Sequence, residues 1–163
     1  MKILVMSDTH GWDENAAEAV KREAPFDALI HAGDIQEGDG EFRSCIGLGN
    51  DIPAYIVEGN CDRAGFLAEQ VIEIAGHRIF LTHGHEYYVS FGRGDLLAAA
   101  REQQCDIAVY GHTHKPDLDE SDPSVLILNP GSLTFPRQRG KRPSYMVLDL
   151  FAGQTPQAFL EYL

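Results

Sequence analysis

Residues that can bind metal ions recur along this chain directly after short apolar segments. They form five motifs, namely Asp8-Thr9-His10, Gly33-Asp34, Gly59-Asn60, His83-Gly84-His85 and Gly111-His112-Thr113-His114. Taken singly, each motif is more often a turn or a hydrogen-bonded loop residue. Their joint occurrence after successive segments predicts a metal site instead. The predicted ligands are Asp8, His10, Asp34, Asn60, His83, His112 and His114.

The number and type of these ligands predict two divalent ions. Imidazole and carboxylate groups without a thiolate cluster suit first-row divalent metals rather than calcium or structural zinc. Seven protein ligands are too many for one tetrahedral ion, whereas two ions sharing a carboxylate would use them and leave positions for water. Two metals about 3.5–4 Å apart stabilise the attacking and leaving oxygens of a displacement at phosphorus. We expect manganese, with iron, nickel, cobalt and zinc as alternatives.

The segments that carry the motifs alternate between strand and helix patterns. Apolar runs predict strands at residues 2–7, 27–32, 54–58, 71–75, 78–82, 107–110, 125–128, 144–150 and 157–160. Amphipathic stretches predict helices at 13–23, weakly at 42–48, briefly at 63–69, and at 95–104. Asp13 is the expected N-cap of the first helix. Residues Gly76 and His77 separate two strands, which predicts a hairpin with His77 exposed to solvent.

These elements predict an α/β fold in which two β-sheets pack together with helices on their outer faces, because the β-rich second half follows an α/β first half. The carboxyl ends of strands in an open α/β sheet form the edge at which ligands bind. We therefore expect the five motifs to converge there. The length predicts a single domain over residues 1–163.

Composition limits the partners and the compartment. The formal net charge is −12, from 13 Lys and Arg against 25 Asp and Glu, which argues against long nucleic acid as a partner. The apolar runs are too short to cross a membrane, and Asp8 interrupts the first one too early for a signal peptide. We therefore expect a cytoplasmic protein that does not bind membranes. The oligomeric state stays open, and a homo-oligomer is compatible with the sequence.

The ordered set of motifs resembles that of the calcineurin-like metallophosphoesterases, most closely the small bacterial and archaeal phosphodiesterases. The resemblance extends from Met1 to about Arg137 and implies a four-layer α/β/β/α sandwich of two mixed β-sheets flanked by helices. It implies that one metal is held by Asp8, His10 and His114. It implies that the other is held by Asn60, His83 and His112, and that Asp34 bridges the two. The implied reaction is hydrolysis of a small phosphodiester by a metal-bridging hydroxide.

One position departs from the pattern of many relatives. Protein phosphatases of this family follow the ligand asparagine with a histidine that can protonate the leaving oxygen, and this chain has Cys61 there. A thiol is a poorer proton donor to an alkoxide than an imidazolium, although the small phosphodiesterases resemble this chain in carrying Gly-Asn-Cys-Asp. Cys61 therefore favours a diester substrate. His85 could supply the proton, and a loop residue that supports His83 is an equal interpretation of it.

Two other classes of function stay open. A phosphomonoesterase or protein phosphatase could use the same site, and a non-catalytic scaffold similar to the retromer subunit could share the fold. A scaffold is expected to have lost ligands, whereas all seven are present here.

Several other residues receive structural interpretations. We interpret Cys45 and Cys105 as buried or half-buried thiols in helical stretches, and His31 as a packed strand residue. Residues Asn129-Pro130-Gly131-Ser132 are typical of a turn. We interpret Arg137 and Arg139 as part of a solvated basic loop, with contact to a substrate phosphate as the alternative.

Overall fold

The computed structural model describes residues 1–63 and 65–163 of the chain. Three α-helices are found there, which are α1 (Glu14–Glu23), α2 (Asp39–Ile46) and α3 (Gly94–Glu102). The strands are β1 (Lys2–Met6), β2 (Ala28–His31), β3 (Ala54–Ile56), β4 (Glu69–Ile74), β5 (His77–Thr82), β6 (Ile107–Val109), β7 (Asp117–Asp119), β8 (Leu126–Asn129), β9 (Ser144–Asp149) and β10 (Gln157–Tyr162). None of the helices in the described ranges is both long and apolar enough to cross a bilayer.

The strands form two mixed five-stranded sheets. The first has the order β10-β9-β1-β2-β3, in which β1, β2 and β3 are parallel and β9 runs antiparallel to β1. The second has the order β4-β5-β6-β8-β7, in which β5, β6 and β8 are parallel and both edge strands are antiparallel to their neighbours. The carboxyl ends of β1, β2 and β3 therefore lie at one edge of the first sheet, and those of β5 and β6 at one edge of the second.

Apolar side chains join these sheets and helices into four layers. Buried residues such as Ile30 and Ile79 form a core between the two sheets. The opposite face of the first sheet packs against α1 and α2 through Ala16 and Phe42. The opposite face of the second sheet packs against α3 through Leu96. The predicted α/β/β/α sandwich is confirmed.

The short helix predicted at 63–69 is wrong. Residue 64 lies outside the described residues, and the described remainder of this segment contains no helix. Gly65 has a left-handed φ of 75°, which does not continue a right-handed helix. Leu67 instead forms a parallel bridge with Val57, and β4 begins at Glu69. The bridge to Val57 and the pairing of β4 with β5 thus override the weak local helical pattern.

The hairpin turn lies one residue earlier than predicted. Its turn residues are Ala75 and Gly76, both with positive φ. His77 is therefore the first residue of β5, and it is buried rather than exposed. Its Nδ1 lies 2.6 Å from Asp106 Oδ2, and its Nε2 lies 3.2 Å from the carbonyl oxygen of Phe151.

Other local expectations have mixed outcomes. His31 is fully buried, as predicted. Asp13 precedes α1, but its side chain forms no capping hydrogen bond. Cys45 is exposed on α2, and Cys105 is buried but lies beyond the end of α3. Edge strand β7 was not predicted, because its sequence Asp117-Leu118-Asp119 contains a single apolar residue and so lacks an apolar run.

Candidate metal centre

The loops after β1, β2 and β6 bring four of the predicted ligands into one cluster. One ligand atom from each lies within 4.8 Å of the others, and the residues are Asp8, His10, Asp34 and His114. Asp8 Oδ1 is 3.1 Å from His114 Nε2, and Asp34 Oδ2 is 3.6 Å from His10 Nε2. The loops of the two sheets thus meet at their carboxyl edges.

The other three predicted ligands form a second group near Asp34. His83 Nε2 is 3.5 Å from Asp34 Oδ2. Asn60 Oδ1 is 3.0 Å from His112 Nδ1, and the ring centroids of His83 and His112 are 5.3 Å apart. Asp34 therefore lies close to residues of both groups that the resemblance assigns to separate ions.

Two acceptor atoms face each other at the centre of the cluster, which fits a bound cation. His114 Nδ1 lies 2.9 Å from the carbonyl oxygen of Phe135. A carbonyl can only accept, so Nδ1 carries a proton, and in the neutral imidazole Nε2 then presents its lone pair to Asp8 Oδ1. Asp8 Oδ1 is buried and has no hydrogen-bond partner. Leaving such an atom unpaired costs free energy, and a divalent ion between the oxygen and the nitrogen would remove that cost.

His83, one of the other three predicted ligands, is also oriented by a backbone carbonyl. His83 Nδ1 lies 2.7 Å from the carbonyl oxygen of Ala32, which leaves Nε2 directed toward Asp34. His83 Nε2 is buried and has no well-formed hydrogen bond. Backbone carbonyls that orient metal-binding imidazoles in this way are common partners of metal ligands. The residues present therefore fit divalent metal ions at both positions.

Five of the seven predicted ligands have a left-handed backbone conformation. Their φ values lie between 50° and 67°, and the residues are Asp8, His10, Asp34, His112 and His114. Non-glycine residues seldom adopt this region, although aspartate and histidine do so more often than most. Such strain is concentrated at functional sites, where the surrounding structure maintains it. The left-handed conformation lets the chain turn away from each strand while the side chain stays directed at the site.

Two glycines allow backbone segments to approach the carboxylates closely. A Cβ on Gly59 would lie 2.2 Å from Asp34 Oδ1, and one on Gly111 would lie 2.1 Å from Ser7 Oγ. Both distances are far shorter than van der Waals contact. The loops that bear Asn60 and His112 could not reach their positions with any larger residue there.

Asp62 supports the site and was not identified from the sequence. Its Oδ2 accepts hydrogen bonds from the backbone amides of Asp34 (2.8 Å) and Gly59 (2.7 Å), and its Oδ1 accepts one from Gln36 (2.6 Å). The carboxylate therefore holds the loop after β2 against the loop after β3. Its place two residues after Asn60 is the signal that could have indicated this role.

The turn at residues 129–132 also contacts the site. Asn129 Nδ2 donates to the carbonyl oxygen of Gly111 (2.8 Å), and Ser132 Oγ donates to that of Asp8 (2.9 Å). Within the Asp8 loop, Ser7 Oγ donates to Asp8 Oδ2 (2.6 Å). The turn predicted from its composition therefore fixes the loops after β1 and β6.

The electrostatics of the site favour the metal-binding forms of Asp34, His10 and His112, but not that of His83. Burial works against the charge of Asp34, but its interactions with His83 and the Cys61 amide hold the pKa of its carboxyl well below the usual range. Burial lowers the pKa of His10 and of His112. For His83, burial is outweighed by Asp34, which raises the pKa of the imidazole. An ion would displace the His83 proton, since a coordinating imidazole must be neutral.

Both predicted proton donors lie beside the ligand cluster. The ring centroid of His85 is 5.5 Å from that of His83 and 6.1 Å from that of His112. Burial, and then the charge of His83, lower the pKa of His85. Cys61 is exposed as a whole residue. Partial burial of its sulfur, and then the charge of nearby Asp34, raise the pKa of the thiol.

A cavity of about 200 Å³ opens over the cluster. It is lined by five of the predicted ligands together with Cys61, Phe135 and Arg137. Arg137 is exposed, in agreement with a solvated loop, and it also borders this cavity, where its backbone amide bonds to the carbonyl oxygen of His114 (2.9 Å). A larger cavity of about 660 Å³, lined in part by His77 and Asp106, contains none of the predicted ligands.

Comparison with known proteins agrees with this arrangement. Residues 1–153 match the model of the calcineurin-like phosphoesterase superfamily domain. A probable metallophosphoesterase of Bacillus subtilis is 34% identical over 156 residues, which cover 92% of this chain and 85% of that protein. A phosphodiesterase of Methanocaldococcus jannaschii is 30% identical over 148 residues, which cover 80% of this chain and 83% of that protein.

Solved structures share the fold over nearly the whole chain. A predicted phosphoesterase from Streptococcus pneumoniae superposes with a TM-score of 0.77 at 27% identity, covering 98% of this chain and 97% of that chain. Vacuolar protein sorting 29 from Cryptosporidium parvum has a TM-score of 0.77 at 22% identity, covering 99% and 97%, which shows similarity of fold alone. By its family match, its relatives and its fold, this chain belongs to the calcineurin-like phosphoesterase superfamily.

Proposed function

We propose that this protein is a binuclear metal-dependent phosphodiesterase. The observation that carries the proposal is the position of Asp34, whose Oδ2 is 3.6 Å from His10 Nε2 and 3.5 Å from His83 Nε2. These imidazoles belong to separate groups of candidate ligands. A carboxylate between two such groups can bind one ion through each side, which is how paired catalytic metals are held close together.

Each proposed ion would have three ligands of its own and share a fourth. Asp8, His10 and His114 would hold the first ion, as their cluster supports. Asn60, His83 and His112 would hold the second, and Asp34 would bridge. When bound, such ions lower the pKa of a water that they share and offset the charge that develops at phosphorus. We propose manganese for both positions, while iron, nickel, cobalt and zinc accept the same ligands.

The residues of the chain would bind and orient the ester around this centre. Arg137 lines the cavity above the candidate ligands and forms no ion pair with any residue in the described ranges. Its guanidinium could therefore pair with a phosphoryl oxygen of the substrate. Cys61 and His85 are the candidates to protonate the leaving oxygen.

A small diester is favoured over a monoester. Cys61 occupies the position at which a stronger proton donor would assist an alkoxide, and a relative from Methanocaldococcus jannaschii is named as a phosphodiesterase. The net charge of −12 opposes binding of long nucleic acid away from the metals. We place the protein in the cytoplasm, with a homo-oligomer compatible with this function. A phosphomonoesterase or protein phosphatase is the alternative that would use the same ligands.

The test combines metal analysis with a matched pair of substrates. The protein is reconstituted with Mn²⁺, its metal content is measured, and rates are compared for bis(p-nitrophenyl) phosphate and p-nitrophenyl phosphate. We expect two ions per chain and faster hydrolysis of the diester. One ion per chain would contradict the binuclear site, and a faster monoester reaction would favour the phosphatase alternative. Bound metal without hydrolysis of either ester would support a scaffold like vacuolar protein sorting 29.

A further inference from the structure

Two exposed aromatic side chains border a cavity next to the metal centre. Trp12 is 61% exposed and Phe135 is 51% exposed. Both line a cavity of about 380 Å³, within the range of small-ligand sites. Large apolar side chains exposed around one cavity are typical of a binding site.

Phe135 connects this cavity to the candidate metal centre. It lines the smaller cavity over the ligands as well, and its ring centroid lies 5.3 Å from that of His10. Its carbonyl oxygen accepts the hydrogen bond from His114 Nδ1. Because Phe135 lines both cavities, a group in the first would lie next to a phosphate in the second.

The loops that carry the two aromatic residues are bonded to each other. Thr134 Oγ1 donates to the carbonyl oxygen of Thr9 (2.8 Å) and lies 3.2 Å from that of Trp12. Asn15 Nδ2 donates to the carbonyl oxygen of Leu133 (2.6 Å). The cavity is thus largely formed before any ligand arrives, so that binding requires little ordering of the chain.

We propose that the cavity between Trp12 and Phe135 binds a planar aromatic ring on one ester arm of the substrate. The phosphate part of this inference rests on the proposed function. Aromatic side chains bind flat rings by stacking, and stacking on a nucleobase tolerates many ring types. Glu14 also lines the cavity, where its carboxylate can accept a hydrogen bond from an exocyclic amino group. A nucleoside is the arm that combines these features, and a simple aryl group is the other source of a flat ring.

The first test measures binding without turnover. Trp12 is the only tryptophan of the chain, so tryptophan fluorescence reports directly on this cavity. The protein is titrated with adenosine 5′-monophosphate, phenyl phosphate and ribose 5-phosphate. We expect saturable quenching by adenosine 5′-monophosphate and affinity weaker by about tenfold for ribose 5-phosphate, because base–aromatic stacking is lost. Equal affinity for these two ligands, or no quenching by either, would overturn the proposal.

Variants separate the cavity from the phosphate site. We expect Phe135→Ala to weaken binding of adenosine 5′-monophosphate about tenfold while leaving that of ribose 5-phosphate unchanged, and Phe135→Tyr to retain the wild-type affinity. The matched control is Phe151→Ala. Phe151 is 49% exposed and follows β9, at the opposite end of the first sheet from Asp8. An equal effect of Phe151→Ala and Phe135→Ala would count against the proposed cavity.

Two further comparisons complete the test. Phenyl phosphate distinguishes the two sources of the ring. If it binds as tightly as adenosine 5′-monophosphate, the cavity accepts any aryl arm. If it binds more weakly, the cavity is specific for a nucleoside arm. In turnover, Trp12→Ala should raise KM for a diester with an aromatic arm and leave KM for the dimethyl ester unchanged, because Trp12 lines the proposed cavity and not the one over the candidate ligands. Ring-dependent quenching in a protein that hydrolyses no ester would reject the proposed function and retain the cavity.

Discussion

The carboxylate of Asp62 accepts a hydrogen bond of 2.8 Å from the backbone amide of Asp34. The same oxygen accepts the amide of Gly59, which precedes Asn60. One buried side chain thus joins the loop of the proposed bridging ligand to the loop of Asn60, a proposed ligand of a second ion. Charge-assisted hydrogen bonds of this kind are about twice as strong as neutral ones. The distance between the two loops therefore depends on the charge of Asp62.

We expect Asp62→Asn to weaken metal binding although Asp62 is not a proposed ligand. The amide side chain is weaker as an acceptor and directs an N–H group toward backbone donors, so the Asp34 and Gly59 loops should separate. Loss of such a supporting residue typically lowers metal affinity about 10- to 100-fold. Titration with Mn²⁺ measures this effect, and excess metal should restore activity.

The matched control for this change is Asp149→Asn, because Asp149 is half-buried at the far end of β9. The control should bind Mn²⁺ as the wild type does. Unchanged affinity in Asp62→Asn would mean that the loops hold their positions without this carboxylate.

We expect Asp34→Asn to release both ions and abolish hydrolysis. Asparagine tolerates the left-handed φ of 57° at this position, so the backbone should keep its path. The substitution removes the negative charge and one of the two oxygens that a bridge needs. Metal analysis of the purified variant tests this expectation. Retention of one ion with substantial activity would show that Asp34 is a terminal ligand.

We expect Cys61→His to raise monoesterase activity in proportion to the basicity of the leaving group. The gain should be small for a nitrophenyl ester, whose phenolate leaves without assistance, and larger for an alkyl ester. General acid catalysis typically contributes about 10²- to 10⁴-fold, so a partly aligned imidazole should be measurable. The measurement compares rates for monoesters of graded leaving-group pKa, with diesterase activity expected to change less.

Cys45→His is the control for this substitution, because Cys45 is an exposed cysteine on α2 and not a candidate site residue. It should leave the dependence on the leaving group unchanged. Equal slopes for wild type and Cys61→His would indicate that position 61 does not control protonation, and would direct attention to His85.

We expect His31 to make the metal-free protein less stable in acid. Burial lowers the pKa of His31 to about 3, whereas an unfolded histidine has a pKa of about 6.5. Between these values the unfolded state binds the additional proton. Stability that is present above about pH 6.5 is therefore lost as the pH falls, at up to about 1.4 kcal/mol per pH unit from this group.

Urea unfolding in the presence of a chelator, at a series of pH values from neutral to mildly acidic, measures this dependence. We expect His31→Gln to have a shallower pH dependence than the wild type, whatever its stability at neutral pH, because glutamine does not titrate. The same slope in both proteins would rule out His31 as the source.

Local signals in the sequence are enough to predict which residue types serve as candidate ligands and that the fold has four layers. Apolar runs and amphipathic stretches are local patterns, and they predicted most strands and the three α-helices to within a few residues. The order of Asp8, Asp34 and His83 along the chain is enough to suggest convergence, since parallel strands end at a common edge. His31 was interpreted correctly because it lies within an apolar run.

Tertiary structure decided which side chains support and border the site. Ser132 bonds to Asp8 across 124 residues of sequence, and His10 meets His114 across 104. The order of the strands within each sheet sets these contacts, and no local pattern records that order. The buried position of His77 likewise depends on Asp106, a partner far along the chain. Phe135 and Arg137 border the metal centre for the same physical reason, because the loop that carries them is positioned by hydrogen bonds to the distant loop after β1 and to His114.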